Sequence, residues 1–262
     1  MTDNQVDYDR IAPGYNRRFA EGSENRGIAT ALLALAETGD AARILEVGCG
    51  TGYWLASLRS ATDQLYGLDL SAGMLAQARS QQERLALAQG RACQLPFADD
   101  CADMVYCVNA IHHFQRQRDF VFEARRLLRP GGILVVTGID PRAHRHCWYI
   151  YDYFWGTYET DLDRFPSWGM VTDWMVEAGF EGIEWKLVER IEDQKEGRAV
   201  FADPFLQKDA CSQLTLLTDE AYAAGLRRIG AALAKAEAEG RLLTFPTDLW
   251  QAMLIGQVGG QG

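Results

Sequence analysis

Short, almost wholly apolar runs recur along the first half of the chain: Arg43–Val47 (RILEV), residues 64–70 (QLYGLDL), 85–89, Ala102–Val108 (ADMVYCV) and 132–139 (GILVVTGI). Apolar runs of this length suit strands buried on both faces, and each is followed by a segment with helical periodicity or turn residues. The pattern predicts helices over residues 26–37 (RGIATALLALAE), 53–59 and 116–128, and places Ser71 as the N-cap of another directly after the second strand. Alternating strands and helices predict a doubly wound α/β fold with a parallel sheet.

Past Asp140 the rhythm loosens. An aromatic-rich stretch precedes a predicted helix at 171–178, a sixth strand at 183–189, a helical stretch at 219–239 and a last strand at 249–258. No internal repeat or low-complexity tract interrupts the chain, so its 262 residues are read as a single domain, 1–262.

Charge narrows the partners. Lys and Arg (26) are outnumbered by Asp and Glu (36), a formal net charge of -10 that opposes binding to nucleic acid. The arginines at 116, 118, 125, 126 and 129 read as a solvated helix face rather than a polyanion site. The opening MTDNQVDYDR has no apolar signal region, and no later run reaches the ~20 residues of a membrane span, so a cytoplasmic location and no membrane partner are expected. Six cysteines lack paired C-x-x-C spacing; free thiols and no metal site are expected.

The chemistry gathers at the ends of the strands. Gly48, Gly50 and Gly52 follow the first strand directly and precede a helix, where missing side chains let a backbone turn approach a ligand. A dinucleotide fingerprint would need a third glycine where Tyr53 stands, and a phosphate loop would need Gly-Lys-Ser or Gly-Lys-Thr, which is absent. Asp69 ends the second strand, where a doubly wound fold brings a carboxylate to a ribose diol.

The run Glu46-x-Gly48-x-Gly50-x-Gly52 resembles the first motif of class I S-adenosylmethionine-dependent methyltransferases, especially the type 11 group similar to ubiquinone and menaquinone biosynthesis enzymes. The resemblance covers roughly residues 8–180. It implies a seven-stranded, mostly parallel, Rossmann-like sheet, with the last strand antiparallel beside the sixth. It also implies S-adenosylmethionine as cofactor and S-adenosylhomocysteine as product. By the same resemblance, Glu46 orients the loop or reaches the methionine ammonium, while Gly48 and Gly50 give the cofactor room and Cys49 between them is a cofactor-binding position. Asp69, Leu70 and Met74 fall at the ribose side. Leu95-Pro96-Phe97 matches the family, but Arg91 stands where an acidic residue often receives the adenine amino group, so adenine recognition is assigned to backbone at Ala92 and Cys93. Asn109 and His113, in the segment Asn109–Phe114, border the methionine end and the transfer site, although a histidine merely satisfied in the wall is an equal reading. Leu127–Gly132 also matches, for the mechanical reason that proline and glycines turn the chain.

Three segments emerge at the active edge and are expected to cap it: residues 1–25, where Tyr8 and Tyr15 resemble the family's lid although a helix packed on the surface is an equal reading; 141–170; and 191–245. Between Trp148 and Tyr158 the second packs seven aromatic residues, from which Trp148, Tyr149, Tyr153 and Trp155 are the candidate acceptor contacts; a hydrophobic lid core explains the same density. His113, His144 and His146 are candidate bases, needed only for a weakly nucleophilic acceptor such as a hydroxyl. The expected function is methyl transfer to O, N, S or C of a small molecule in a closed, aromatic-lined cleft, by a monomer or homodimer. The alternative, favoured by Arg91, is a protein that binds S-adenosylmethionine or S-adenosylhomocysteine without transferring the methyl group. Thiol or arsenite methylation through Cys147 and Cys211 has no support in their spacing.

Overall fold

A computed structural model describes residues 6–13, 15, 26–81, 85–143 and 147–260. In chain order the elements are α1 (Tyr8–Ile11), α2 (Arg26–Thr38), β1 (Arg43–Val47), α3 (Tyr53–Ser57), β2 (Gln64–Asp69), α4 (Ala72–Gln81), β3 (Ala86–Gln89), β4 (Ala102–Val108) and α5 (Gln117–Leu127). There follow β5 (Leu128–Gly138), α6 (Tyr149–Tyr153), α7 (Thr157–Arg164), α8 (Trp168–Glu177), β6 (Phe180–Glu196), α9 (Ser212–Thr215), α10 (Asp219–Ala238) and β7 (Thr244–Val258).

The strands form one seven-stranded sheet of order β3-β2-β1-β4-β5-β7-β6. The first five are mutually parallel, and β7 runs antiparallel to both β5 and β6. All seven residues of β4 are buried, because the sheet is covered on both faces. Its alternate residues feed two cores. Val105 and Cys107 pack with Phe120 and Val121 of α5 and Met175 of α8, while Met104 and Tyr106 pack with Ile28 and Leu32 of α2 and Leu55 of α3. Ser71 caps α4 as predicted, its Oγ accepting from Met74 N at 3.0 Å.

Several boundaries differ from the pattern. Strand β5 begins at Leu128 rather than 132, and the Pro-Gly-Gly run lies inside it, where the pairing with β4 shifts register between Ala102 and Met104. Helix α8 starts at Trp168 because Ser167 Oγ accepts from Met170 N at 3.2 Å. The largest difference is at the edge: β6 and β7 remain paired from Phe180↔Val258 to Glu196↔Thr244, well past the predicted strands. Residues 189–196 of β6 (ERIEDQKE) carry almost no apolar alternation, so the extension is held by backbone pairing and by the cap rather than by a buried face. The expected 191–245 connection is therefore confined to residues 197–243.

A third core lies in this cap. Tyr149, Ile150 and Phe154 around α6 pack with Leu214 of α9, Ile229 and Leu233 of α10, and Phe245 and Leu249 of β7. Four arginines of the run are paired: Arg126 bonds Glu123 and Asp99 at 2.8 and 2.7 Å, Arg129 meets Asp103 at 2.6 Å, and Arg116 and Arg118 pair with Asp119 and Glu177. The six cysteines are free thiols. Among the described residues no helix is long and apolar enough to cross a membrane, and no cluster of His, Cys, Asp and Glu could hold a metal.

Candidate active site

The site is built where β1, β2 and β4 end. After Val47 the chain turns through Gly48, Gly50 and Gly52 at φ of +75°, +52° and +74°, in the left-handed region that favours glycine. Gly48 N and Cys49 N both donate to Leu68 O, at 2.7 and 3.0 Å, stitching the loop onto β2. A Cβ on Gly48 would sit 2.7 Å from that of Ala110, whereas one on Gly50 would meet only open space. Asp69 locks the loop from the other side: its Oδ2 accepts from Gly50 N and its Oδ1 from Ser71 N, both at 2.8 Å. Burial raises its pKa from the ordinary carboxylate value, against the opposing pull of these backbone donors.

Two adjoining cavities open on this loop. The first, about 260 Å³, lies between Asp69, Leu70 and Met74 on one side and Arg91, Ala92 and Cys93 on the other. The second, about 520 Å³, extends toward the cap. Tyr8, Tyr15, Gly48, Gly50, Val108, Asn109 and His113 line both, so they form the wall or doorway between the two. Asn109 holds its place with φ of +50° and donates its N–H to Thr137 O at 2.8 Å; asparagine tolerates that conformation better than most residues.

Nearly every residue assigned to the cofactor from sequence borders the first cavity. Cys49 instead borders the second. Glu46 lies beneath the loop: it is fully buried, its Oε2 accepts from the Tyr106 hydroxyl at 3.1 Å, and its Oε1 has no hydrogen-bond partner. Burial pushes its carboxyl well above the usual range. Arg91 turns onto Gln115, donating from Nη1 to Oε1 at 3.0 Å, and both residues line the first cavity. Gln115 was missed by the sequence reading, as was Asp9. Asp9 Oδ1 accepts from Ser71 Oγ at 2.6 Å and from Gly73 N at 2.8 Å, fastening the N-terminal segment to the start of α4. Those two bonds hold its carboxyl below the usual range. Fastened this way, Tyr8 reaches His113, hydroxyl to Nε2, at 2.5 Å.

The acceptor assignments fare differently. Trp148 lines the second cavity. Tyr149 does not: it is buried in the cap core and donates to Asp203 Oδ2 at 2.7 Å. Tyr153 packs on Phe245, with ring centroids 5.4 Å apart, and Trp155 is 70% exposed with the Arg228 guanidinium 3.7 Å over its ring. These three are corrected to cap packing and surface, since an aromatic cluster on a short helix points in several directions and only one faces the cleft. Besides Tyr8 and Tyr15, the cavity takes aromatic walls from Tyr53 and Trp54, which directly follow the glycine loop, from Phe205, and from Phe165, on which His112 stacks at 3.7 Å. Ser212 and Gln213 are held at the cavity by Arg164, donating to Ser212 Oγ at 2.9 Å, and by Asp161, accepting from Gln213 Nε2 at 2.6 Å. His144 and His146 lie outside the described residues.

The residues present suit an adenosyl cofactor. An unpartnered Glu46 carboxyl oxygen lies under the loop, Gly50 opens onto empty space that a side chain would enter, and Asp69 keeps spare lone pairs at the cavity edge. Sheet order and the antiparallel last strand define a Rossmann-like, class I methyltransferase fold. A solved structure shares it: phosphoethanolamine N-methyltransferase 2 of Haemonchus contortus, in complex with S-adenosylhomocysteine, superposes with a TM-score of 0.58 at 18% identity, over 97% of this chain and 58% of that one. Residues 45–136 match the family described as "Methyltransferase domain". Malonyl-[acyl-carrier protein] O-methyltransferase of Pectobacterium atrosepticum is 37% identical over 47% of this chain and 48% of its own length. A probable S-adenosylmethionine-dependent methyltransferase of Mycolicibacterium smegmatis is 34% identical over 36% of this chain and 37% of its own. The chain thus spans about half or less of the length of these curated relatives. Residues 45–136 are thus similar to the methyltransferase domain of the type 11 group, as found in class I S-adenosylmethionine-dependent methyltransferases.

Proposed function

We propose that the protein transfers the methyl group of S-adenosylmethionine, held in the first cavity, to a small-molecule acceptor held in the second. The observation that carries this reading is the shared wall: a donor and an acceptor in adjoining chambers meet only where Gly48, Gly50, Asn109 and His113 border both. The cofactor supplies a methyl group on a positively charged sulfur. The chain's part is to orient and to exclude water. Asp69 offers its free lone pairs to the ribose hydroxyls, and backbone at Ala92 and Cys93 reads the adenine edge. Tyr8 and Tyr15 close over both ligands. The acceptor's lone pair forms the new bond to the methyl carbon as the carbon–sulfur pair returns to sulfur. An acceptor proton, where there is one, leaves to His113 or to water; the Tyr8 hydroxyl at 2.5 Å steers that imidazole. A single functional unit, in the cytoplasm, as monomer or homodimer and without nucleic acid, is the accompanying proposal; the net charge of -10 and the paired arginines support the last point.

Calorimetric titration of ligand-free protein with S-adenosylmethionine, S-adenosylhomocysteine and, as control, NAD tests the reading. Both sulfur ligands are expected to bind and NAD to fail, with affinity reduced at least about tenfold in Asp69→Ala, a loss of ~1.4 kcal/mol or more. Absence of binding by either sulfur ligand overturns it.

A further inference from the structure

The second cavity carries two polar atoms that nothing satisfies. Trp148 is 3% exposed and Gln251 7%, both line the cavity, and the Trp148 indole N–H and the Gln251 Oε1 have no hydrogen-bond partner. An unpartnered buried donor and acceptor are costly to a free protein and become useful when a ligand completes them. They stand on one wall. Strand alternation turns both Leu249 and Gln251 of β7 to the cavity, and Trp148 is tied to the same strand by its bridge to Thr247 and by the 2.7 Å bond from Asp248 N to Cys147 O.

Charge on the rim adds a second, independent constraint. Strand alternation places Glu189 and Asp193 of β6 on the same face as Leu249 and Gln251, whereas Arg190 and Glu192 fall on the opposite face with Asp248 and Trp250. Arg190 is already committed: Nε and Nη2 reach Asp248 at 2.8 and 2.9 Å, Nη1 reaches Glu192 at 2.8 Å, and its plane lies 4.8 Å over Trp250. An arginine committed on the outer face offers little to an anion in the cavity, the buried Arg164 behind Ser212 is matched by Asp161 at 3.6 Å and Asp193 by Lys195 at 2.6 Å, and the Glu189 carboxylate repels an anion.

We propose, on the footing of the methyltransferase reading above, that the second cavity takes an uncharged planar acceptor. One oxygen of it accepts from the Trp148 indole N–H, and an O–H or N–H of it donates to the Gln251 amide oxygen. Carboxylates are rejected. Tyr53, Trp54 and Phe165 supply the flat apolar walls such a ring system needs.

The test uses the full chain saturated with S-adenosylhomocysteine, titrated with methyl 3- and methyl 4-hydroxybenzoate and with the corresponding free hydroxybenzoates. At least one ester is expected to bind, about tenfold or more tighter than its acid. Trp148→Phe and Gln251→Leu should each weaken the ester about fivefold to tenfold while leaving S-adenosylhomocysteine affinity unchanged. The ligand-free melting temperature separates this from a packing role: Gln251→Leu removes an unsatisfied buried oxygen, so it should melt at the wild-type temperature or above. Acids binding as tightly as esters, no ester binding to the S-adenosylhomocysteine-loaded protein, or variants that bind the ester like wild type each overturn the proposal. Failure of S-adenosylhomocysteine itself to bind, measured first, brings down the methyltransferase reading and this proposal with it.

Discussion

Glu46 shows what a single buried carboxyl does for the site. The penultimate residue of β1, it has no exposure, receives the Tyr106 hydroxyl on one oxygen and leaves the other unpartnered. Burial, the dominant cause, raises its pKa well above the ordinary value of about 4.3. The folded protein therefore retains a proton that the unfolded chain has given up, and stability falls as pH rises from the unfolded value through the folded one. Glu46→Gln keeps the shape and an acceptor for Tyr106 but cannot ionise. It should melt increasingly above wild type as pH is raised from about 5 to about 8, while binding S-adenosylmethionine more weakly; parallel melting curves at all pH values would show that Glu46 is not held protonated. At this scale the sequence was readable where backbone geometry restricts residue type. The spaced glycines require left-handed φ or close approach, and an acid ending β2 meets the loop that β1 begins. It was unreadable for Tyr149, Tyr153 and Trp155, because aromatic density does not say which ring faces the cleft. Gln251 left one signal, a polar residue inside the apolar run LWQAMLIG, but its partner wall lies a hundred residues away along the chain.

Among the elements, α10 carries two glycines with opposite expectations. A Cβ on Gly225 would lie 2.2 Å from Phe154 Cδ1 in the cap core, whereas one on Gly230 would meet nothing within 4 Å. Gly225→Ala must displace the Phe154 ring and is expected to cost about 1–3 kcal/mol, lowering the melting temperature by several degrees. Gly230→Ala restores helix propensity at no steric cost and should add about 0.5–1 kcal/mol. Thermal melts of the two variants check this pairing; a neutral Gly225→Ala would mean that close contact with Phe154 does not hold α10 to α6. The long β6–β7 ribbon supporting this helix was only half legible. Its inner part shows apolar runs, but residues 189–196 are polar and lie in a strand because β7 offers hydrogen bonds, a non-local cause that periodicity cannot register.

In the whole molecule, two cores sandwich the sheet and a third fills the cap, with the β6–β7 ribbon passing between them. The sheet was legible because a strand buried on both faces has to be apolar almost throughout, as β4 is apart from Asp103, which Arg43 and Arg129 neutralise. The placement of the cap over the strand ends was not, since it rests on contacts among distant segments. This division makes the two cavities respond differently to ligands. The first is walled by sheet loops and the N-terminal segment, whereas the second also draws on cap residues such as Cys211, Ser212 and Gln213. Hydrogen exchange should therefore slow in two stages. S-adenosylhomocysteine alone should protect the loop 48–52 and the turns at 69–74 and 90–93, leaving residues 211–215 at their ligand-free rate. Addition of an acceptor that fills the second cavity should protect 211–215 and β7 around Gln251. Protection of the cap by S-adenosylhomocysteine alone would mean instead that the cap closes on the cofactor, and that acceptors enter a chamber already formed.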